Sequence, residues 1–281
     1  MWFFFTIIAG SCFTVTRVIE RHILKGQKDS WAYSFWFSFL GAVISLPFIL
    51  VSPQMPEIKS YWYWALMLLV GLMITLHNFL SFKSINYLGP SLHTAMTKFR
   101  ILWIFALGIV FLNEALSIDK VAGAVLTITA GLLILGKFKS KENFKGLLYA
   151  FVPTFVYAAI ITLYSVLFNK FNTASLTFFI FLVPAIANWI IMPGSNNRIL
   201  TFLKRHPVFV IISGCFAGFG NLAMNEAFKV GEQGRVIILL EVFAVVLVAS
   251  EYFILKEKEK PVIKIIALIL AIIGGVLVKI G

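Results

Sequence analysis

The chain has 281 residues, 60% of them apolar and 13% charged, with a formal net charge of +12. A soluble domain is about 25% charged, so this composition, with a mean hydropathy of +0.94, excludes an ordinary soluble protein and points to a polytopic membrane protein. The basic excess does not indicate nucleic acid, because Lys and Arg collect in short connections between apolar runs, as membrane topology requires. Two cysteines, Cys12 and Cys215, are too few for a disulfide framework or a metal cluster.

A helix that crosses a bilayer needs ~20 mostly apolar residues. Ten such stretches follow one another, at about 2–23, 31–51, 61–82, 90–112, 118–136, 144–168, 173–192, 208–228, 234–255 and 261–280. They are too long for the ~10-residue alternating strands of a membrane barrel, so the expected class is all-α with ten transmembrane helices. The first stretch lacks the positive n-region of a signal peptide and reads as a spanning helix. Trp2, Trp31, Tyr61, Trp62, Tyr63 and Trp64 stand at helix ends, as interfacial aromatic residues do. Pro47 is expected to end the second helix, and Pro153 and Pro184 to lie inside the sixth and seventh, where neighbouring helices re-satisfy the freed carbonyl. The longest connections, KFKSKEN at 137–143 and PGSNNRILTFLKRHP at 193–207, read as loops.

The fourth stretch, GPSLHTAMTKFRILWIFALGIVFLNE, carries Lys98 and Arg100 near its middle. A charge at that depth costs ~3 kcal/mol or more, so it is expected to be paired, buried in protein or facing water. A constant offset of 143 relates this stretch to 232–257: Gly71 falls on Gly214, Asn78 on Asn221, Lys98 on Glu241, Glu114 on Glu257 and Gly131 on Gly274. The offset predicts an internal duplication, with units 1–137 and 144–281 of five helices each. Five is odd, so the second unit enters the membrane from the opposite side, giving two inverted five-helix repeats.

Loop charge sets the orientation. Connections after odd-numbered helices hold Lys25, Lys28, Lys83, Lys137, Lys139, Lys141, Lys145, Arg198, Lys204, Arg205, Lys256, Lys258 and Lys260; those after even-numbered helices hold only Lys59, Lys120, Lys170 and Lys229. The expectation is a plasma-membrane protein with odd-numbered loops in the cytoplasm and both chain ends outside.

The stretch from the end of the third helix through the fifth, SINYLGPSLHTAMTKFRILWIFALGIVFLNEALSIDKVAGAVLTITAGLLIL, and its second-half counterpart resemble the EamA-type members of the drug/metabolite transporter superfamily. The family pattern places a small residue before an apolar helix, a glutamate at its end and glycines in the next helix. Glu114 and Glu257 fit the glutamate, and Gly123, Gly131, Gly274 and Gly275 fit the glycines. Lys98 and Glu241 depart from it, since such proteins usually show an uncharged residue there. The resemblance implies two five-helix units and secondary transport of small metabolites, amino acids or amphipathic compounds, usually driven by protons or antiport.

The polar residues at membrane depth each admit a functional and a structural reading. Lys98 and Glu241 occupy equivalent places in the two units, so they can meet at mid-membrane, either as a coupling and binding pair or as a tie between the units. Arg100 stays charged and its fork suits a carboxylate or phosphate, so an anionic or zwitterionic substrate is open; its other reading is a partner for Glu226 or Glu241. His77 and Asn78 lie deep in the third helix, and the His77 titration range suits proton coupling. Thr94 joins this group by position. Gly214, Gly218, Asn221 and Asn225 form one stripe, read first as close helix packing with interhelical hydrogen bonds and second as a cavity wall. Trp36 and Tyr157 are further candidates for lining a cavity. Arg17 and Glu20 share a face near the membrane edge and read as a gate or an interfacial ion cluster.

An enzyme is not expected. The chain has no H-E-x-x-H motif, no paired aspartates and no Cys/His cluster, and His22, His77, His93 and His206 are dispersed. No cofactor is expected; the expected partners are the bilayer, a small-molecule substrate and protons. A membrane partner subunit or a lipid-carrier flippase stays open as the alternative.

Overall fold

The computed structural model describes residues 1–24, 29–51, 57, 59–88, 93, 96–135, 144–191, 194–254 and 261–280. Among them eleven α-helices are present: α1 (Trp2–Leu24), α2 (Ser30–Val51), α3 (Tyr61–Leu88), α4 (Arg100–Leu112), α5 (Ile118–Leu135), α6 (Phe144–Leu167), α7 (Thr173–Ile191), α8 (Ser195–Arg205), α9 (Pro207–Val230), α10 (Gln233–Ile254) and α11 (Pro261–Ile280). Six of them (α1, α2, α3, α6, α7 and α9) carry stretches long and apolar enough to cross a membrane. Their outer faces leave Leu50, Val51, Ile190 and Ile211 exposed, a belt of apolar surface that a water-soluble monomer rarely shows. The chain is an all-helical, multi-pass membrane protein.

Three expectations change. The 193–207 connection is not a loop: it contains α8, whose Ile199 and Phe202 are buried. Phe202 packs with Ile19, Ile23, Tyr33 and Val210. The segment folds because its apolar residues are spaced three or four apart while Arg198, Lys204 and Arg205 take the polar side. The third helix runs to Leu88, six residues past its expected end at 82. Pro47 lies inside α2 and does not end it.

The long helices pack in pairs: α1 along α9, α2 along α7, α3 along α6, and α5 along α11. Without a hydrophobic driving force between helices in lipid, close approach through small residues holds such pairs. Gly214 and Gly218 of α9 face Leu40 and Ile44 of α2, where a Cβ at 218 would stand 2.8 Å from Ile44. This is the packing use expected of that stripe. At the crossing of α5 and α11, Gly123 and Gly274 lie backbone to backbone: a Cβ at 274 would stand 2.8 Å from the Gly123 carbonyl oxygen and 2.8 Å from Thr127 Oγ1. Tyr33 OH and Ser213 Oγ (2.7 Å), and Asn188 Nδ2 donating to Ser34 Oγ (3.1 Å), add hydrogen bonds between helices.

A backbone oxygen cannot swing aside as a side chain can, so Gly274→Ala must separate α5 from α11. Gly275→Ala meets only the Val242 and Leu239 side chains, no closer than 3.1 Å. Thermal unfolding in detergent is expected to show a lower midpoint for Gly274→Ala, by about 1–3 kcal/mol of overpacking, and little change for Gly275→Ala.

Candidate functional site

Residues 97–99 form a 3-10 turn that runs directly into α4, so Lys98 sits in a tighter coil than the continuous α-helix expected for 90–112. Residues two apart in a regular α-helix do not face each other. Here the pitch changes between Lys98 and Arg100, and their long side chains converge on one carboxylate, Glu241 of α10. Lys98 Nζ pairs with Glu241 Oε2, and the Arg100 guanidinium with Glu241 Oε1. Lys98 is 2% exposed and Glu241 1%, against 19% for Arg100. Gly131 of α5 makes room for the lysine stem: a Cβ there would stand 2.8 Å from Lys98 Cγ. Ala130, Val242, Ala267 and Ala271 form a tightly packed core cluster shared by α5, α10 and α11.

The cluster extends toward α6 and α3. The Arg100 guanidinium lies 4.7 Å from the centre of the Tyr157 ring, in cation–π range. Tyr157 in turn faces His77 at 5.3 Å between ring centres. His77 Nδ1 donates to the Pro153 carbonyl at 3.1 Å, which fixes a proton on Nδ1 and leaves Nε2 to act as donor or acceptor with its protonation state. Tyr157 OH donates to Met224 Sδ of α9 at 3.9 Å. Two turns along α3 from His77, Ser84 pairs with His93. Arg17 of α1 is exposed, yet its charge reaches His77, His93 and Lys98. Among the described residues, two basic groups, Lys98 and Arg100, face the single carboxylate of Glu241.

Comparison with known proteins decides the family. The EamA-like transporter family matches residues 1–136 and 144–280. The chain belongs to the EamA-like transporter family. A relative from Haemophilus influenzae, described as an uncharacterized transporter, is 24% identical over 219 residues, covering 75% of this chain and 71% of its own. A solved crystal structure covers 98% of both chains with a TM-score of 0.73 at 15% identity, a likeness of fold alone. Membrane transport is the function this EamA-like membership carries.

The structure gathers Lys98, Arg100, Glu241, Tyr157 and His77 of the expected residues and disperses others. Of the two partners weighed for Arg100, Glu226 and Glu241, it pairs with Glu241. Asn221 donates to Ala217 of its own helix at 3.0 Å. Asn225 is fully buried, donates to Thr177 Oγ1 at 2.8 Å, and leaves its Oδ1 without a protein partner. Asn78 is half-buried in α3 one position past His77. Trp36 lies apart, donating from its indole nitrogen to the Ile199 carbonyl at 2.9 Å beside α8. With Phe35, Phe39, Trp189, Ile199 and Leu200 it lines a shallow outer groove. Thr94, the Glu20 side chain and Glu257 lie outside the described residues. Two contributors were absent from the sequence reading: Met224, which carries no polar signal, and the contact of Gly131 with Lys98, which a family glycine does not reveal.

Removing one partner of a buried ion pair costs about 3–5 kcal/mol, because the other charge stays behind. Glu241→Gln strands two cations, whereas Lys98→Met leaves Arg100 paired with Glu241. Unfolding in detergent is expected to rank Glu241→Gln well below Lys98→Met; equal losses would show that Arg100 does not share the carboxylate.

Proposed function

We propose that this chain is a ten-helix secondary transporter, built as inverted five-helix repeats over 1–137 and 144–281. It moves small metabolites, amino acids or amphipathic compounds bearing an anionic or zwitterionic group across the plasma membrane by alternating access. Ser30 and Thr173, which start α2 and α7, lie 143 residues apart, as do Ile118 and Pro261, which start α5 and α11. Packing is reciprocal under the same offset: α1 against α9 corresponds to α6 against α3, and α4 against α6 to α10 against α1. In this reading α8 is the extra element, an amphipathic helix on the basic, cytoplasmic side, and both chain ends lie outside.

The observation that carries the reading is the buried Glu241 carboxylate shared by Lys98 and Arg100. Lys98 and Glu241 come from equivalent positions in the two repeats, 143 residues apart. A substrate carboxylate or phosphate arriving at Arg100 displaces Glu241 from the guanidinium, while Lys98 retains Glu241. When the substrate leaves, Glu241 returns to Arg100, so the guanidinium always has an anionic partner. A proton on Glu241 acts on the same balance by releasing both cations. In this reading His77, its Nδ1 held by the Pro153 carbonyl and its ring against Tyr157, is the group that takes up a proton beside the cluster.

Transport in proteoliposomes tests this. Lys98→Met and Glu241→Gln are each expected to lower the rate by one to two orders of magnitude. The charge swap Lys98→Glu with Glu241→Lys keeps the pair and moves the carboxylate two residues from Arg100; it is expected to restore stability without restoring transport. Wild-type rates in all three eliminate the reading.

A further inference from the structure

Glu114, at the end of α4, belongs to no part of the central cluster. Asn113 turns the chain there in a left-handed conformation, φ +53°, which Asn tolerates. The N–H groups of Asn113 and Glu114 both donate to the Gly108 carbonyl. The Glu114 side chain lies over Gly108, where a Cβ would stand 3.1 Å from its Oε2. Its carboxylate meets the first turn of α10: Gln233 N–H donates to Oε1 at 2.8 Å and Gly234 N–H to Oε2 at 3.4 Å. A Cβ at 234 would stand 2.7 Å from the Phe105 ring and 3.2 Å from Glu114, so glycine allows this approach. The first N–H groups of a helix lack intrahelical partners and carry partial positive charge. A helix ordinarily supplies its own cap; here the cap comes from 119 residues away, in the other half of the chain.

Two more ties lie at the same seam. Lys120 pairs with Glu232 and donates to the Ala115 carbonyl at 2.7 Å, while Arg235 pairs with Glu232 at 2.6 Å. Gln233 Nε2 donates to the Ile161 carbonyl of α6 at 2.8 Å and to Ser165 Oγ at 3.0 Å. Burial pushes the Glu232 carboxyl up, but Lys120 and Arg235 outweigh it and hold it below the ordinary carboxylate range. The turn after α4, the turn before α10 and the end of α6 are thus fastened at one end of the bundle. Toward the other end, the exposed Arg17 lies within electrostatic reach of Lys98.

We propose that Glu114 is the latch of a gate: seated on the α10 N–H groups, it holds the two halves together on this side of the central cluster, and its release opens that side. The latch rests on the alternating-access reading. A cap carried by α10 itself would move with α10 and survive opening. A cap supplied across the interface is broken by any separation of the halves, so its loss shifts the equilibrium between the two openings.

The test uses full-length protein in liposomes of known orientation, with Cys12→Ala and Cys215→Ala removing both natural cysteines. Ile104→Cys is the reporter, since Ile104 is buried on α4 one turn past Arg100 on the way to Glu114. A membrane-impermeant maleimide is applied from each side in turn. Glu114→Ala is expected to raise labelling from the Glu114 side about tenfold, the shift that loss of one charge-assisted contact gives, and to lower it from the other side. Glu114→Gln keeps one acceptor oxygen and sets an NH2 against the second N–H, so it should fall between; it also serves if the alanine variant does not fold. Unchanged labelling from the Glu114 side in folded variants overturns the latch. If the parent still labels from both sides, the transport reading stands without the latch; if neither parent nor variants label from either side, both fall.

Discussion

One carboxylate shared by two cations in a dry interior is the constraint on which the rest depends. Each of the three charges is costly to bury alone. The cost keeps α4 and α10 in contact, because separating them without a replacement anion would strand Lys98, Arg100 and Glu241 at once. The two cations give that replacement its sign. Under the proposed exchange, the second cation is what an arriving anion meets.

The surroundings follow from holding those charges. Gly131 is a glycine because the Lys98 stem crosses it. Ala130 of α5 and Ala267 and Ala271 of α11 pack with Val242 of α10 beside it. Tyr157 offers its ring to Arg100, a second contact for the guanidinium beside the carboxylate. Polar ties fasten the Glu114 end; among the described residues at the end carrying α8, the Arg198 fork grips Asp29 and Trp36 donates to the Ile199 carbonyl. Those two contacts hold α8 to α2, within the periphery, and do not bridge α4 to α10.

Much of this is legible in the amino-acid order, and the reasons for the rest are specific. Apolar run length gives the helices, because lipid forces backbone groups to pair within a segment. The offset of 143 relates Lys98 to Glu241 in the sequence alone, and the structure pairs these two residues. Run length cannot find α8, whose eleven residues mix four apolar side chains with polar and basic ones; only their helical spacing marks it. Nor does hydropathy see the 3-10 turn that lets Arg100 join the pair. Trp36 read as cavity-lining because aromatic residues inside a span face either way, and its indole instead anchors α8. Glu114 fitted a family pattern without a role, because its partner is a backbone N–H, and backbone donors leave no trace in side-chain identity.

The central claim is that Glu241 stands where the anionic group of a substrate binds. It is tested most directly by ligand-induced thermal stabilisation of purified protein across a panel of small anionic and zwitterionic metabolites. For a compound that stabilises the wild type, Arg100→Met should abolish the effect. Glu241→Gln should strengthen it, because the competing carboxylate is gone. A compound that stabilises all three proteins equally, or that Glu241→Gln no longer binds, would contradict the account.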